Sequence, residues 1–215
     1  MSFSMSSKDY VGYIKLAAKR ISENGEYISR LDAETGDGDH WANIQLGFES
    51  LVAAEEELEA MPIDAAFKRI GSLMMSKVGG SSGILYGGAY MAAGRALEEK
   101  TVLSSEDLCL ALETMVGDMM ERGKAEPGFK TMIDALYPAV QCYKASLCAG
   151  KPEAETMDAV KRAAMEGAES TRNMEAVKGR ASYRTDKGIG HLDPGAVTMC
   201  YQLVCLCDYI KENLL

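Results

Sequence analysis

Apolar side chains recur at three- and four-residue steps along nearly the whole chain, and that spacing admits amphipathic helices and little else. The first such run, Lys8 to Ile28, is marked by Val11, Ile14, Leu16, Ala17, Ala18, Ile21 and Ile28. Others extend from about Trp41 to Glu59, Asp64 to Lys77, Ile84 to Lys100, Ser105 to Arg122, Thr131 to Cys148, Glu153 to Thr171 and Ala196 to Leu214. Met61-Pro62, Gly79-Gly80 and Gly150-Lys151-Pro152 punctuate them as helix ends do. Asp193-Pro194 reads as an N-cap followed by proline at the first helical position, and Pro138 is expected to kink the sixth run. Strand signals are scarce. The expectation is an all-α single domain, residues 1–215, of eight antiparallel up-and-down helices with function concentrated in the loops.

Composition narrows the function classes. Lys and Arg number 23 against 32 Asp and Glu, a net charge of −9 with no basic stripe, which argues against a nucleic-acid partner. The start, M-S-F-S-M-S-S-K-D-Y, lacks the apolar core of a signal peptide, and no stretch offers the ~18 uncharged apolar residues of a membrane span. A cytoplasmic protein is expected. Cys109, Cys142, Cys148, Cys200, Cys205 and Cys207 lie inside apolar helical patterns with no C-x-x-C pair, as free thiols in a reducing compartment would.

The strongest chemical signal is L-D-A-E-T-G-D-G-D-H-W-A-N, from Leu31 to Asn43. It gathers Asp32, Asp37 and Asp39, whose mutual repulsion calls for a cation. All-oxygen ligation without cysteine points to a hard ion, Mg²⁺ ahead of Ca²⁺. A calcium loop begun at Asp37 meets Trp41 and Ala42 at its fifth and sixth positions and Phe48 at its twelfth, and one begun at Asp32 has Asp37 where glycine belongs. Both registers fail. The plainer alternative makes Asp37 and Asp39 helix caps and Asp32 a solvated loop charge.

Three further loops carry unusual chemistry. Gly79-Gly80-Ser81-Ser82-Gly83 offers close backbone N–H groups and hydroxyls at a helix start, which suits phosphate and equally suits a plain turn. No G-K-[ST] follows, so it is not a Walker loop. The stretch Gly179 to Ala196 is too long for a mere connector. It holds Arg180, a phosphate clamp or a surface cation. His40 and His191, the chain's two histidines, also fall in these loops, as acid–base groups or as hydrogen-bonding and capping residues.

Taken together, the loops resemble the L subunit of the dihydroxyacetone kinases. The resemblance rests on Asp32 with Gly36-Asp37-Gly38-Asp39-His40 and Asn43, and on Gly79-Gly80-Ser81-Ser82-Gly83 with Leu85-Tyr86-Gly87. It extends to Arg122-Gly123-Lys124-Ala125-Glu126-Pro127-Gly128 with Lys130-Thr131-Met132, and to Gly179-Arg180-Ala181-Ser182-Tyr183 with Ile189-Gly190-His191 and Asp193-Pro194-Gly195-Ala196. It implies a barrel of eight antiparallel amphipathic helices with ADP or ATP at one end. Two Mg²⁺ ions would be held by Asp32, Asp37 and Asp39. Phosphate contacts would come from Gly80, Ser81 and Ser82, with further contacts from His40, Trp41, Ala42 and Asn43. Gly123, Thr131, Met132, Asp193, Pro194 and Gly195 would border the nucleotide, and Arg180 would act catalytically on the transferring phosphoryl group.

The same resemblance implies a split enzyme. The substrate would sit on a separate K-type subunit and the phosphoryl group would come from an M-type phosphocarrier of the phosphoenolpyruvate-dependent phosphotransferase system; a homodimer is compatible with this reading. The alternative is a Mg-nucleotide-sensing module that transfers nothing. Trp41 stands where the family usually has glycine and Phe129 where it usually has aspartate. The indole is therefore expected at the mouth of the site, near the nucleotide or a docking face, with burial in the core as the alternative.

Overall fold

The computed structural model describes residues 3–215. Its helices are α1 (Ser7–Glu23), α2 (Gly25–Thr35), α3 (His40–Ala53), α4 (Glu55–Glu59), α5 (Ile63–Lys77), α6 (Gly80–Ala96), α7 (Ser105–Gly123), α8 (Ile133–Cys148), α9 (Glu153–Ser170) and α10 (Pro194–Asn213). Short 3₁₀ turns occupy Thr171–Asn173 and Arg180–Tyr183. Among the described residues the extended structure is an isolated bridge between Met5 and Leu103, and no helix is long and apolar enough to cross a membrane.

Each expected helix is present, but two are broken. The first splits at Asn24, whose amide Nδ2 donates to the Arg20 carbonyl at 2.8 Å and whose backbone leaves the helical region just before Gly25. Helix α2 then continues seven residues past the expected end at Ile28, so Asp32 stands on a helix, not in a loop. The second splits at Ala54, where Glu55, Glu56 and Glu57 supply the acidic first turn that a new helix N-terminus favours.

The segments close into a ring. Helix α1 packs on α3, α3 on α5, and each later helix from α5 to α9 on its successor, until α10 returns to α1. The interior is a large apolar core, with a small second cluster of Leu31, Leu192 and Val197. Helices α5 and α6 approach closely: a Cβ on either Gly71 or Gly87 would lie 2.8 Å from the other's carbonyl oxygen. Because the chain runs up and down, alternate connections share an end. Residues 36–39, 78–79, 124–132 and 171–193 therefore meet at one rim, and both termini lie with the turns of the other.

Candidate functional site

The rim that gathers these four connections holds the acidic cluster. Asp32 comes from the last turn of α2, Asp37 from the following loop, and Asp39 from the N-cap position of α3. One oxygen from each carboxylate lies within 4.8 Å of the others. Asp39 occupies a capping position yet its side chain makes no capping hydrogen bond, forgoing about 1 kcal/mol of helix stabilisation. Asp32 is buried and accepts the His40 backbone N–H at 3.0 Å. The reading of these residues as caps and a solvated loop charge does not fit. Facing them is Arg180, whose guanidinium contacts the Asp37 carboxylate at 2.5 Å.

Beneath the cluster opens a cavity of about 560 Å³, within the range of small-molecule sites. Its floor is the N-terminus of α6, where no side chain caps the helix and Gly80 adopts φ +66°, a conformation natural to glycine. The glycine–serine run is therefore the first turn of a helix, with N–H groups open to an anion. Ser81, Ser82, His40 and Asn43 line the same wall, and Leu85, Met119, Met132 and Ile133 form an apolar one. Gly123, Thr131, Asp193, Pro194 and Gly195 complete the rim.

Trp41 and Ala42, expected beside the nucleotide, are not among the residues lining this cavity. One helical step from His40, the indole points away and covers Gly25, where a Cβ would lie 2.6 Å from the ring. There it packs against the core. Glycine at the helix break makes the space, and the large aromatic fills it.

His40 is held from behind. Thr198 Oγ1 lies 2.9 Å from His40 Nε2 and 3.1 Å from the Gly195 carbonyl, so one hydroxyl ties the imidazole to the first turn of α10. Burial pushes the imidazole below its usual pKa against the pull of Asp32 and Asp39. Gln202 continues the chain inward, donating to Tyr86 Oη at 2.8 Å and to the Thr198 carbonyl at 3.1 Å. Asp193 caps α10 through the Ala196 N–H at 2.7 Å. Burial raises its carboxyl to about 7, although that bond and the Lys130 ammonium pull the other way.

Several lining residues were given no role at the site from the sequence: Thr35, Ile84 and Lys178, and also Arg122 and Lys130, which stand within the motifs quoted above. Arg122 is engaged by Asp118 at 2.6 Å. His191 does not line the cavity; its Nδ1 pairs with Glu34 at 3.0 Å on the outside of the same rim.

Residues 34–208 match the DAK2 domain. The chain belongs to the DAK2 family. Similar DAK2 proteins include the ADP-binding subunit of the PEP-dependent dihydroxyacetone kinase of Escherichia coli K12, 34% identical over 97% of this chain and all of that one. The corresponding subunit of kinase 1 of Listeria innocua is 38% identical over 83% of this chain and 84% of its own. The fold is also that of the dihydroxyacetone kinase of C. freundii, with TM-score 0.73 and 27% identity over 92% of this chain, which spans 34% of that longer one. A second structure of that kinase, in complex with AMP-PNP and Mg²⁺, matches at TM-score 0.71 over 92% of this chain and 33% of that one.

Proposed function

We propose that this DAK2 protein is the Mg-nucleotide-binding subunit of a split kinase. It would hold ADP, take up a phosphoryl group on it to form bound ATP, and pass the γ-phosphoryl group to dihydroxyacetone, or a related ketose, held on a separate K-type subunit, leaving ADP in place. An M-type phosphocarrier of the phosphotransferase system would restore that group. The observation that carries this reading is that three convergent carboxylates, an uncapped helix N-terminus and the apolar side chains of Leu85, Met119, Met132 and Ile133 line one cavity. One cavity then offers a cation site, a phosphate site and apolar surface for a base.

The donor set fits magnesium. All three donors are carboxylates, and Asp39 gives up its capping bond to join them. Asp32, Asp37 and Asp39 would hold two ions. The first-turn N–H groups of α6 with Ser81 and Ser82 would receive phosphate oxygens, and Leu85, Met119 and Met132 would take the base. Bound magnesium nucleotide supplies the transferable group and much of the charge neutralisation. Arg180 adds a positive charge beside Asp37, and His40, held by Thr198, offers a further polar contact.

The test is reconstitution. Dihydroxyacetone phosphorylation should appear when a K-type subunit and a phosphoryl source are added, and the chain alone should give none. Turnover by the isolated chain contradicts the split-enzyme reading.

A further inference from the structure

Lys130 is placed where an ordinary lysine is not tolerated. It is 2% exposed, and its backbone adopts φ +60°, a left-handed conformation that costs a non-glycine residue about 1–2 kcal/mol. A buried ammonium is stable only when paired. Its Nζ donates to the carbonyls of Thr171 and His191, both at 2.5 Å. A methionine would fill the same volume with no charge to desolvate. The position is therefore explained by what the ammonium holds.

Thr171 and His191 are the two feet of the loop that carries Arg180. The feet are also joined to each other: Gly190 N–H donates to the Arg172 carbonyl at 2.8 Å, and Asp193 N–H to Thr171 Oγ1 at 3.0 Å. With its ends together the segment 172–190 is a closed Ω-like loop, and its tip reaches Asp37 through Arg180. We propose that Lys130 is a positioning residue, clamping both feet of this loop and so setting where Arg180 stands relative to the aspartates. The ammonium acts through the loop, not through the ligand. Phosphate contact by Arg180 rests on the proposed nucleotide function; the clamp itself does not.

Two measurements on the full chain separate these. Hydrogen exchange without nucleotide reads the clamp: in Lys130→Met, the amides of 172–190 should exchange about tenfold faster or more, as expected once two buried carbonyls are without their donor, while α5 and α6 stay protected. Lys130→Gly relieves the left-handed backbone and removes the same ammonium, so it should show the same loosening. Normal loop protection in both variants overturns the proposal. Calorimetry with Mg-ADP reads the consequence: Lys130→Met should weaken binding about tenfold with Arg180 present and less than twofold in an Arg180→Ala background, as coupled residues do. A full tenfold loss without Arg180 means the lysine meets the ligand directly, and the proposal fails. Wild-type protein that binds no Mg-ADP while the loop responds would sink the nucleotide reading and leave the clamp standing.

Discussion

The two rims of the helical ring differ most in how much backbone each holds in unusual conformations. At the rim holding the termini, α1 and α7 begin with complete capping boxes, Ser6 with Asp9 and Ser104 with Asp107. Tyr10, Phe67 and Tyr90 lock there through ring contacts of 4.6 to 6.4 Å. At the cavity rim α10 is capped by Asp193, while α3, α6 and α8 begin with no side-chain cap. Of the described residues with positive φ, only Glu99 and Gly150 lie at the terminal rim, while Gly38, Gly80, Lys124, Gly128, Lys130, Gly179, Lys187, Gly188 and Gly190 crowd the other. Free N–H groups, an acid that declines to cap and strained backbone are costs a stable scaffold avoids. Their concentration at one rim marks where a ligand is expected to satisfy them.

The comparison breaks if stability and ligand binding respond to the same residues. The largest effect expected is from Phe67→Ala at the terminal rim, which should lower unfolding free energy by about 3–5 kcal/mol. The affinity of the folded fraction for Mg-ADP should not change; denaturation and calorimetry read the two separately. Next comes pH. The Asp193 carboxyl, raised from 3.8 to about 7, keeps its proton in the folded state after the unfolded chain has released its own. Stability of the ligand-free protein should therefore fall as pH rises from about 4 to 7, then level off. Asp193→Asn keeps a capping oxygen and should remove that fall. At pH 8 the variant should exceed the parent by on the order of 2 kcal/mol, solvent at the cavity mouth screening part of the full effect, and at pH 4 by almost nothing.

Smaller still is Ser104→Ala, which should cost about 1 kcal/mol of stability and leave ligand binding intact. The smallest effect concerns Trp41. Its indole covers Gly25 and not the cavity. Mg-ADP should therefore leave the emission maximum in place, and Trp41→Phe, which keeps an aromatic ring over Gly25, should hold affinity within about twofold.

Local chemistry explains how much of this was legible in advance. The helical stripes mark every segment because each buries one face in a shared core. Asn24-Gly25 could have been seen as a break, since both residues favour leaving a helix. Ala54 could not: alanine is the best helix former, and the bend there lets Leu58 reach full burial against the core. The aspartates were legible because clustered like charges have few other uses. Lys130 was hidden because its acceptors lie 41 and 61 residues away. Trp41 was misplaced because its orientation depends on a glycine sixteen residues earlier, a space that only the folded chain reveals.

The most direct test is calorimetric titration of the purified chain with ADP, in magnesium and in EDTA, beside Asp32→Asn, Asp37→Asn and Asp39→Asn. Saturating Mg-ADP at about 100 times its Kd should stabilise the parent by about 2.7 kcal/mol. EDTA and each substitution should remove most of that gain, while the ligand-free variants stay as stable as the parent or gain slightly from relieved repulsion. If ADP binds equally well without magnesium, or all three variants keep the full response, the aspartates hold no metal and the nucleotide site is misassigned.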